Sequence, residues 1–314
     1  MKNLRYFYFI DLLRWFAAMG VLIHHYFAHF KITSTDANNS NIFNFISDNS
    51  ILGSYGVWFF WCVSGFVFTN ILINQKTTLF NFALKRFSRL YPLHFLTLIL
   101  ISLLEFSSLK FLGNFQIKNH FYDFYHFILN LLFISEWGLQ KGYSFNGVIW
   151  SVSIEIPVYF AFFTLIYFLK RSLLMYVFLF LIFSKLVLHT DLFNYQLKAC
   201  FFYFLFGSFI YLFCLKFEKY KFFFISFSLL GILSWPFFLE LEKIGYFKIF
   251  VNFIPTTLVL FGSLILFAFF IENNYKNIGK KISFLGDASY AIYLIHIPVQ
   301  VLTLILIELE LIKL

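Results

Sequence analysis

Charged residues are scarce in this chain. Only 12% of its 314 residues are charged, whereas 61% are hydrophobic and the mean hydropathy is +0.81. Soluble domains contain about 25% charged and 45 to 50% apolar residues. This shortage of charge excludes an ordinary soluble domain and predicts an all-α polytopic membrane protein.

Cysteine is also rare. Cys62, Cys200 and Cys214 are the three cysteines, and each lies within an apolar run. Their spacing fits neither a disulfide framework nor a zinc site. We therefore expect no metal and no disulfide scaffold.

Acidic residues are fewer than basic ones, which gives a net charge of +9. Lys and Arg occur in short clusters between apolar runs, the pattern of cytoplasmic loops rather than of a nucleic-acid-binding surface. Lys2 and Arg5 precede the first run as in a signal peptide, but Asp11 and Arg14 lie inside that run. We expect a retained first helix and no nucleic-acid partner.

The apolar runs predict nine membrane spans and one membrane domain over residues 1–314, with no soluble domain. The shorter run at 127–137 predicts a short crossing, a re-entrant piece or an interfacial helix. The distribution of loop charges favours nine spans. Residues 106–126 have the composition of a helix or loop at the membrane interface. The nine spans lie near 6–30, 55–73, 90–107, 148–169, 173–189, 196–215, 222–239, 249–271 and 286–307.

The first span carries an unusual polar stripe. A helix over 6–30 would be about 37 Å long and would place six residues within about 80° of one another. Ionisable groups at membrane depth cost several kcal/mol unless they face protein or water, so the stripe predicts a functional site. The alternative is an Asp11–Arg14 ion pair that only fixes helix packing. The stripe consists of Asp11, Arg14, Ala18, Leu22, His25 and His29, whereas His24 points elsewhere.

A basic cluster precedes the third predicted span. Arg86 and Arg89 are one helical turn apart, so together they can hold a phosphate through charge-assisted hydrogen bonds. The alternative is a topology anchor that contacts anionic membrane lipids. Pro92, at the end of the cluster, suits the start of a helix.

Three further motifs lie within apolar runs. Ser64 and Gly65 would allow another helix to approach closely. Glu155 shares a helix face with Ser151. A carboxylate within a span needs a partner or water, so Glu155 either takes part in the chemistry or satisfies buried polar neighbours. His296 ends a stripe with Asp287, Tyr290 and Tyr293, and such a histidine serves either packing or chemistry.

These motifs, in this order, resemble the acyltransferase-3 family of integral membrane acyltransferases over nearly the whole chain. The resemblance implies ten helices, a cytoplasmic acyl-CoA donor, and an acceptor outside the cytoplasm such as a glycan. It implies His25 as the catalytic histidine, Arg14 as its partner, and Arg86 with Arg89 on the donor side. The matching elements are Arg14 with His25, Gly56–Phe66, Lys85–Pro92, Trp150–Glu155 and Ser289–His296.

The chain departs from the family pattern at Trp58, Ile156 and Pro157, where many members carry acidic residues or glutamine. These changes concern the acceptor rather than acyl transfer. Some relatives have a C-terminal esterase-like domain, but this sequence ends at Leu314. We expect transfer directly to the acceptor or to a separate partner.

The expected reaction moves an acetyl or other short acyl group from acetyl-CoA, or another acyl-CoA, to a hydroxyl of a glycan or lipid-linked saccharide. His25 would act as general base or nucleophile. Asp11 and Glu155 would support it, and Arg14 would stabilise the oxyanion or hold the donor. We expect a multi-pass protein of a bacterial inner or plasma membrane. The sequence leaves its oligomeric state open.

Two other functions use the same residues. A proton-coupled transporter or flippase would use Asp11, His25, His29 and Glu155 as a protonation relay. A metal site built from Asp11, His25 and His29 is disfavoured, because the two histidines form only one ligand pair.

Overall fold

A computed structural model describes residues 5–29, 51–169, 194–243 and 254–312, with isolated positions at 172, 175, 176, 179 and 182. Within these ranges the secondary structure is helical, apart from one β-bridge between Phe121 and Ser144. This confirms the all-α class for the described residues. The helices are α1 (Tyr8–His29), α2 (Ile51–Asn74), α3 (Leu79–Leu112), α4 (Phe124–Leu131), α5 (Ile149–Leu169), α6 (Tyr195–Lys216), α7 (Lys221–Lys243) and α8 (Ile254–Glu308).

Six of the described helical stretches are long and apolar enough to cross a membrane, and each coincides with a predicted span. The first predicted span is helical, as α1, but is not among these six. The predicted span at 249–271 corresponds to a shorter apolar stretch, Thr256–Glu272, and 173–189 lies outside the described residues apart from isolated positions. The six are Gly53–Asn74, Leu79–Leu112, Ile149–Ile166, Tyr195–Lys216, Glu218–Leu241 and Gly279–Glu308.

The short run predicted at 127–137 contains only part of an eight-residue helix, α4. Eight residues rise about 12 Å, well short of the ~30 Å hydrocarbon core. The chain then turns at Phe133, which has a φ of 59°. The helix does not make a crossing, which leaves the re-entrant and interfacial alternatives.

Helix α3 begins earlier than predicted. Thr78 caps it by accepting a hydrogen bond from the Asn81 N–H at 3.2 Å, and Gly113 ends it with a φ of 78°. Its 34 residues rise about 51 Å, longer than a hydrocarbon core needs. The basic cluster therefore lies inside the helix rather than before it, and Pro92 is an interior residue. The cap and the long apolar run outweigh the one hydrogen bond that proline removes.

The chain folds into two compact units. The first contains Met1–Ala17, Trp58–Thr77 and Phe160–Asp287. The second contains Ala18–Val57, Thr78–Tyr159 and Ala288–Leu314.

In the first unit, α2 and α6 touch backbone to backbone. A Cβ atom on Gly65 would lie 2.1 Å from the Phe204 carbonyl oxygen, and one on Gly207 would lie 1.9 Å from that of Cys62. The Thr69 and Ser208 hydroxyls lie 2.6 Å apart beside this contact. The predicted close approach of a helix at Ser64 and Gly65 is confirmed.

In the second unit, a buried carboxylate fastens the segment after α3. Glu105 is 0% exposed and accepts hydrogen bonds from the backbone N–H groups of Gln116 and Ile117, at 2.8 and 3.2 Å. It also accepts one from the Tyr122 hydroxyl at 2.9 Å. Three donors satisfy the buried carboxylate, so the segment is tied to α3 rather than loose.

Candidate active site

The Asp11–Arg14 ion pair is present on α1. Arg14 Nη1 lies 3.2 Å from Asp11 Oδ1, and the two side chains are 20% and 15% exposed. The Arg14 guanidinium also lies 5.9 Å from the centre of the Phe60 ring. These contacts fix the direction of a planar group that binds carboxylates and phosphates.

The first turn of α1 is held by α8. Glu272 is 2% exposed, and its Oε2 accepts a hydrogen bond from the Phe9 N–H at 2.9 Å. A Cβ atom on Gly286 would lie 2.4 Å from the Asp11 Cβ, so only a glycine fits there without a shift. Neither residue was predicted from the sequence, although Gly286 directly precedes Asp287, the first residue of the stripe that ends at His296.

In the second unit, His25 meets a second histidine from α8. The His25 and His296 ring centres are 5.2 Å apart, and their planes are tilted by 36°. His296 is 3% exposed, and its Nδ1 lies 3.2 Å from the Ile292 carbonyl oxygen. A carbonyl oxygen only accepts, so Nδ1 carries the hydrogen, and in the neutral ring Nε2 presents a lone pair.

His24 and His29 have different surroundings from His25. The His24 ring lies against Gly53, where a Cβ atom would be 2.6 Å from His24 Cδ2. Its centre is 5.3 Å from that of His25. His29 belongs to α1, but its side chain lies outside the described part of the structure.

The last three motifs converge in the second unit. The Tyr293 hydroxyl donates to the Val148 carbonyl at 3.1 Å and lies 2.7 Å from the Ser151 hydroxyl. The Tyr290 hydroxyl donates to the Leu90 carbonyl at 2.8 Å. Two tyrosines of α8 therefore contact residues that lie 140 to 200 positions earlier in the sequence.

Glu155 accepts a hydrogen bond from the Tyr159 hydroxyl, one turn later on α5. It also acts electrostatically on Tyr290, as does Arg89. A carboxylate and a guanidinium thus act on the same tyrosine of the last motif. Glu155 has a structural partner in Tyr159 and also lies among the motif residues.

Arg86 and Arg89 lie one turn apart on α3, as predicted. The Arg86 guanidinium is 5.7 Å from the centre of the Phe82 ring, and Arg89 is exposed. From Arg89 to Leu112 the helix rises about 35 Å, enough to cross the hydrocarbon core. Both arginines are therefore placed for the membrane surface.

A metal centre finds no support among the residues that the structure describes. They contain no group of three or more His, Cys, Asp or Glu side chains suited to a metal ion. The chemistry available here consists of imidazole bases, guanidinium groups, carboxylates and hydroxyls.

Comparison with known proteins gives one match. A family model described as an acyltransferase domain matches residues 7–309, which includes parts of both compact units. No curated protein and no solved structure matches the chain significantly.

Proposed function

Because the chain belongs to the acyltransferase-3 family of integral membrane acyltransferases, we propose that it acylates a hydroxyl of a glycan or lipid-linked saccharide outside the cytoplasm. The donor is acetyl-CoA or another short acyl-CoA, and the membrane is a bacterial inner or plasma membrane. The contact between His25 and His296 carries this proposal, since it gives the family's histidine a second base within the protein.

Two routes fit this pair of histidines. In the first, His25 takes the proton of the acceptor hydroxyl while the hydroxyl oxygen attacks the thioester carbonyl. The carbon–sulfur bond breaks, and CoA leaves as its thiol after taking up a proton. In the second, a ring nitrogen of His25 attacks the thioester carbonyl, the carbon–sulfur bond breaks, and CoA leaves as its thiol after taking up a proton. The acceptor hydroxyl then attacks the acyl-histidine, the nitrogen–carbon bond breaks, and the hydroxyl gives up its proton. In both routes His296 Nε2 is the neighbouring site for the proton.

Arg14 acts on the donor in this scheme. Arg14 and His25 are eleven positions apart on α1, a rise of about 16 Å. The guanidinium is therefore better suited to hold a distant part of an extended acyl-CoA than to stabilise an oxyanion beside His25. Asp11 orients the guanidinium, and Arg86 with Arg89 provide positive charge for CoA phosphates.

Among the side chains that the structure describes, no specific contact favours the transporter alternative. Asp11 pairs with Arg14, and Glu155 accepts a hydrogen bond from Tyr159. A transporter that used a relay along α1 would show a flux driven by a pH gradient and would release no CoA.

The test is acetyl-CoA turnover by the full-length protein in lipid nanodiscs, followed as released CoA thiol. Replacing His25 by Ala should lower the rate by about 10² to 10⁴, the usual contribution of general base catalysis. Arg14→Ala should mainly raise the KM for acetyl-CoA, because the guanidinium holds the donor in this scheme. His24→Ala is the matched control and should retain most of the activity.

Full activity of the His25→Ala protein would overturn the assignment. An equal loss in the His24→Ala protein would show that damage to α1, rather than lost chemistry, explains the effect. The acceptor can be identified by mass spectrometry of envelope glycans from cells with and without the protein. Loss of an ester from one glycan is the expected result.

A further inference from the structure

An apolar cavity of about 570 Å³ lies between α6, α7 and the first half of α8, within the first unit. This volume is typical of pockets that hold a ligand, about 300 to 1,000 Å³. Small residues, among them Gly262 and Ser234, leave the space, and phenylalanines such as Phe206, Phe213 and Phe224 form its walls.

The cavity faces the surroundings of the protein through α7. Only 17% of the apolar window of this helix is buried, the lowest share among the six candidate spans. Leu230 lines the cavity and is 66% exposed, and Leu233 beside it is 75% exposed. On a membrane-spanning helix such side chains contact lipid, so hydrocarbon chains have direct access to the cavity.

The shape of the cavity suits a chain. Its lining residues on α7 run from Phe224 to Phe238, fourteen positions apart, over which the helix rises about 21 Å. One leaflet contributes about half of the ~30 Å hydrocarbon core. An extended hydrocarbon chain of one leaflet therefore fits along the cavity.

Three lysines lie at one end of the cavity, where α6 ends, a short loop follows and α7 begins. The Lys216 Nζ is 5.7 Å from the centre of the Phe217 ring. That ring centre lies 4.7 Å from Phe213 and 5.9 Å from Phe224, which both line the cavity. Lys216 is the last residue of α6, and the other two lysines are Lys219 in the loop and Lys221, the first residue of α7.

The single acidic residue of the loop does not cancel the positive charge of these three lysines. Glu218 forms an ion pair with Arg5 at 2.8 Å, so its negative charge is already balanced. The loop consequently carries an excess of positive charge next to the end of an apolar cavity. Such clusters attract anionic lipid headgroups.

We propose that the cavity binds one chain of an anionic phospholipid, whose phosphate lies at Lys216, Lys219 and Lys221. The apolar walls select a hydrocarbon chain, and the lysines select a negative headgroup. The site is formed by α6, α7 and α8 within the first unit, whereas the histidine pair belongs to the second unit, and it does not depend on acyl transfer.

The test uses the full-length protein in nanodiscs with equal amounts of phosphatidylglycerol and phosphatidylcholine, followed by native mass spectrometry. The wild-type protein should retain one phosphatidylglycerol. Gly262→Phe fills the cavity, and its Cβ is tolerated, since the closest atom is Phe206 Cζ at 3.4 Å. It should lower retention roughly tenfold, because the ring occupies the space of the chain. Leu233→Phe, on the exposed face of α7, is the matched control and should retain the lipid.

The headgroup is tested separately. Changing Lys216, Lys219 and Lys221 together to Gln should lower the preference for phosphatidylglycerol by roughly fivefold per lysine. Changing Lys280 and Lys281 to Gln, two exposed lysines outside the loop, should leave it unchanged.

Equal retention by the wild-type and Gly262→Phe proteins would overturn the chain site, and equal retention of the two lipids by the wild type would overturn the headgroup site. A co-purified polyprenyl phosphate in place of a phospholipid would overturn the assignment of the occupant. If Gly262→Phe does not fold, as judged by its thermal unfolding, Ser234→Phe fills the same cavity from α7.

Discussion

His296 has both a ring nitrogen bound to a backbone carbonyl and a histidine neighbour. The Ile292 carbonyl holds the hydrogen on Nδ1, which leaves Nε2 as a base. The ring centre of His25 lies 5.2 Å from the ring centre of His296. His296 therefore suits a role in proton transfer better than one in packing alone.

Two substitutions of His296 separate these roles. Asn keeps an N–H that can donate to the Ile292 carbonyl but has no basic nitrogen, whereas Phe keeps the ring and lacks both. If His296 carries a proton, both variants should lower kcat by about 10² with little change in KM for acetyl-CoA. If the role is structural, His296→Asn should remain active while His296→Phe loses stability, as measured by thermal unfolding.

Gly286 is the second residue for which the structure makes a sharp prediction. Gly286→Ala would place a Cβ 2.4 Å from the Asp11 Cβ and 2.8 Å from its backbone. Overpacking of this kind costs about 1 to 3 kcal/mol of stability, and α1 must move to relieve it. We expect a lower thermal midpoint and slower CoA release. Gly262→Ala, where the nearest contact is 3.4 Å, is the control; an equal effect of both substitutions would contradict this account.

The difference between local and distant contacts explains which site residues could be predicted from the sequence. Asp11 and Arg14 are three residues apart on a helix, so periodicity alone predicts their contact. His25 and His296 are 271 residues apart, and no pattern in a single sequence shows that their rings meet. Gly286 was missed for the same reason, because its neighbour Asp11 lies on another helix.

Among the helices, α3 shows how local signals set boundaries. Hydropathy placed its start near Leu90, because Lys85, Arg86 and Arg89 lower the apolar average there. The helix begins at Leu79 instead, because Thr78 caps it and the charged residues continue it without a break. The same helix therefore provides both a membrane crossing and a basic surface.

The short helix α4 depends on its cap. Asp123 accepts a hydrogen bond from the His126 backbone N–H at 3.0 Å, and this bond holds the pKa of Asp123 below its usual range. Asp123→Ala should cost about 1 kcal/mol at pH 7, the usual value for a lost cap. Thermal unfolding measures the difference, with Asn119→Ala as an exposed control in the preceding loop.

The sign of the pH effect follows from the lowered pKa. The carboxylate stabilises the folded state above the unfolded pKa of about 3.9, and this contribution is lost as the pH falls through the lower folded value. The difference between the wild-type and Asp123→Ala proteins should therefore shrink in acid. A difference that grows below pH 4 would contradict the capping role.

At the level of the whole molecule, contacts within the first unit place the α6–α7 loop and the middle of α8 beside the N-terminal segment. Arg5 pairs with Glu218, and the Phe9 N–H is bound by Glu272. These residues precede or follow membrane-spanning stretches, so the α6–α7 loop and the middle of α8 share one side of the membrane with the N-terminus. The excess of Lys and Arg there indicates the cytoplasmic side.

Cysteine labelling tests this topology. Lys219→Cys and Lys280→Cys should react with an impermeant maleimide only from the cytoplasmic side. Asn119→Cys, beyond the α3 crossing, should react only from the opposite side. Background should be low, because the three natural cysteines are buried. Labelling of Lys219→Cys and Lys280→Cys from opposite sides would contradict the arrangement.

The contact between α2 and α6 also limits how this protein can evolve. At both Gly65 and Gly207 an added carbon would meet a carbonyl oxygen of the other helix rather than a side chain. No change of a neighbouring side chain relieves such a clash, so a second mutation has no simple way to rescue the first. Lipid-facing phenylalanines of α7, in contrast, can be exchanged for other apolar residues. Among functional variants, the two glycines should therefore stay invariant while the outer surface drifts.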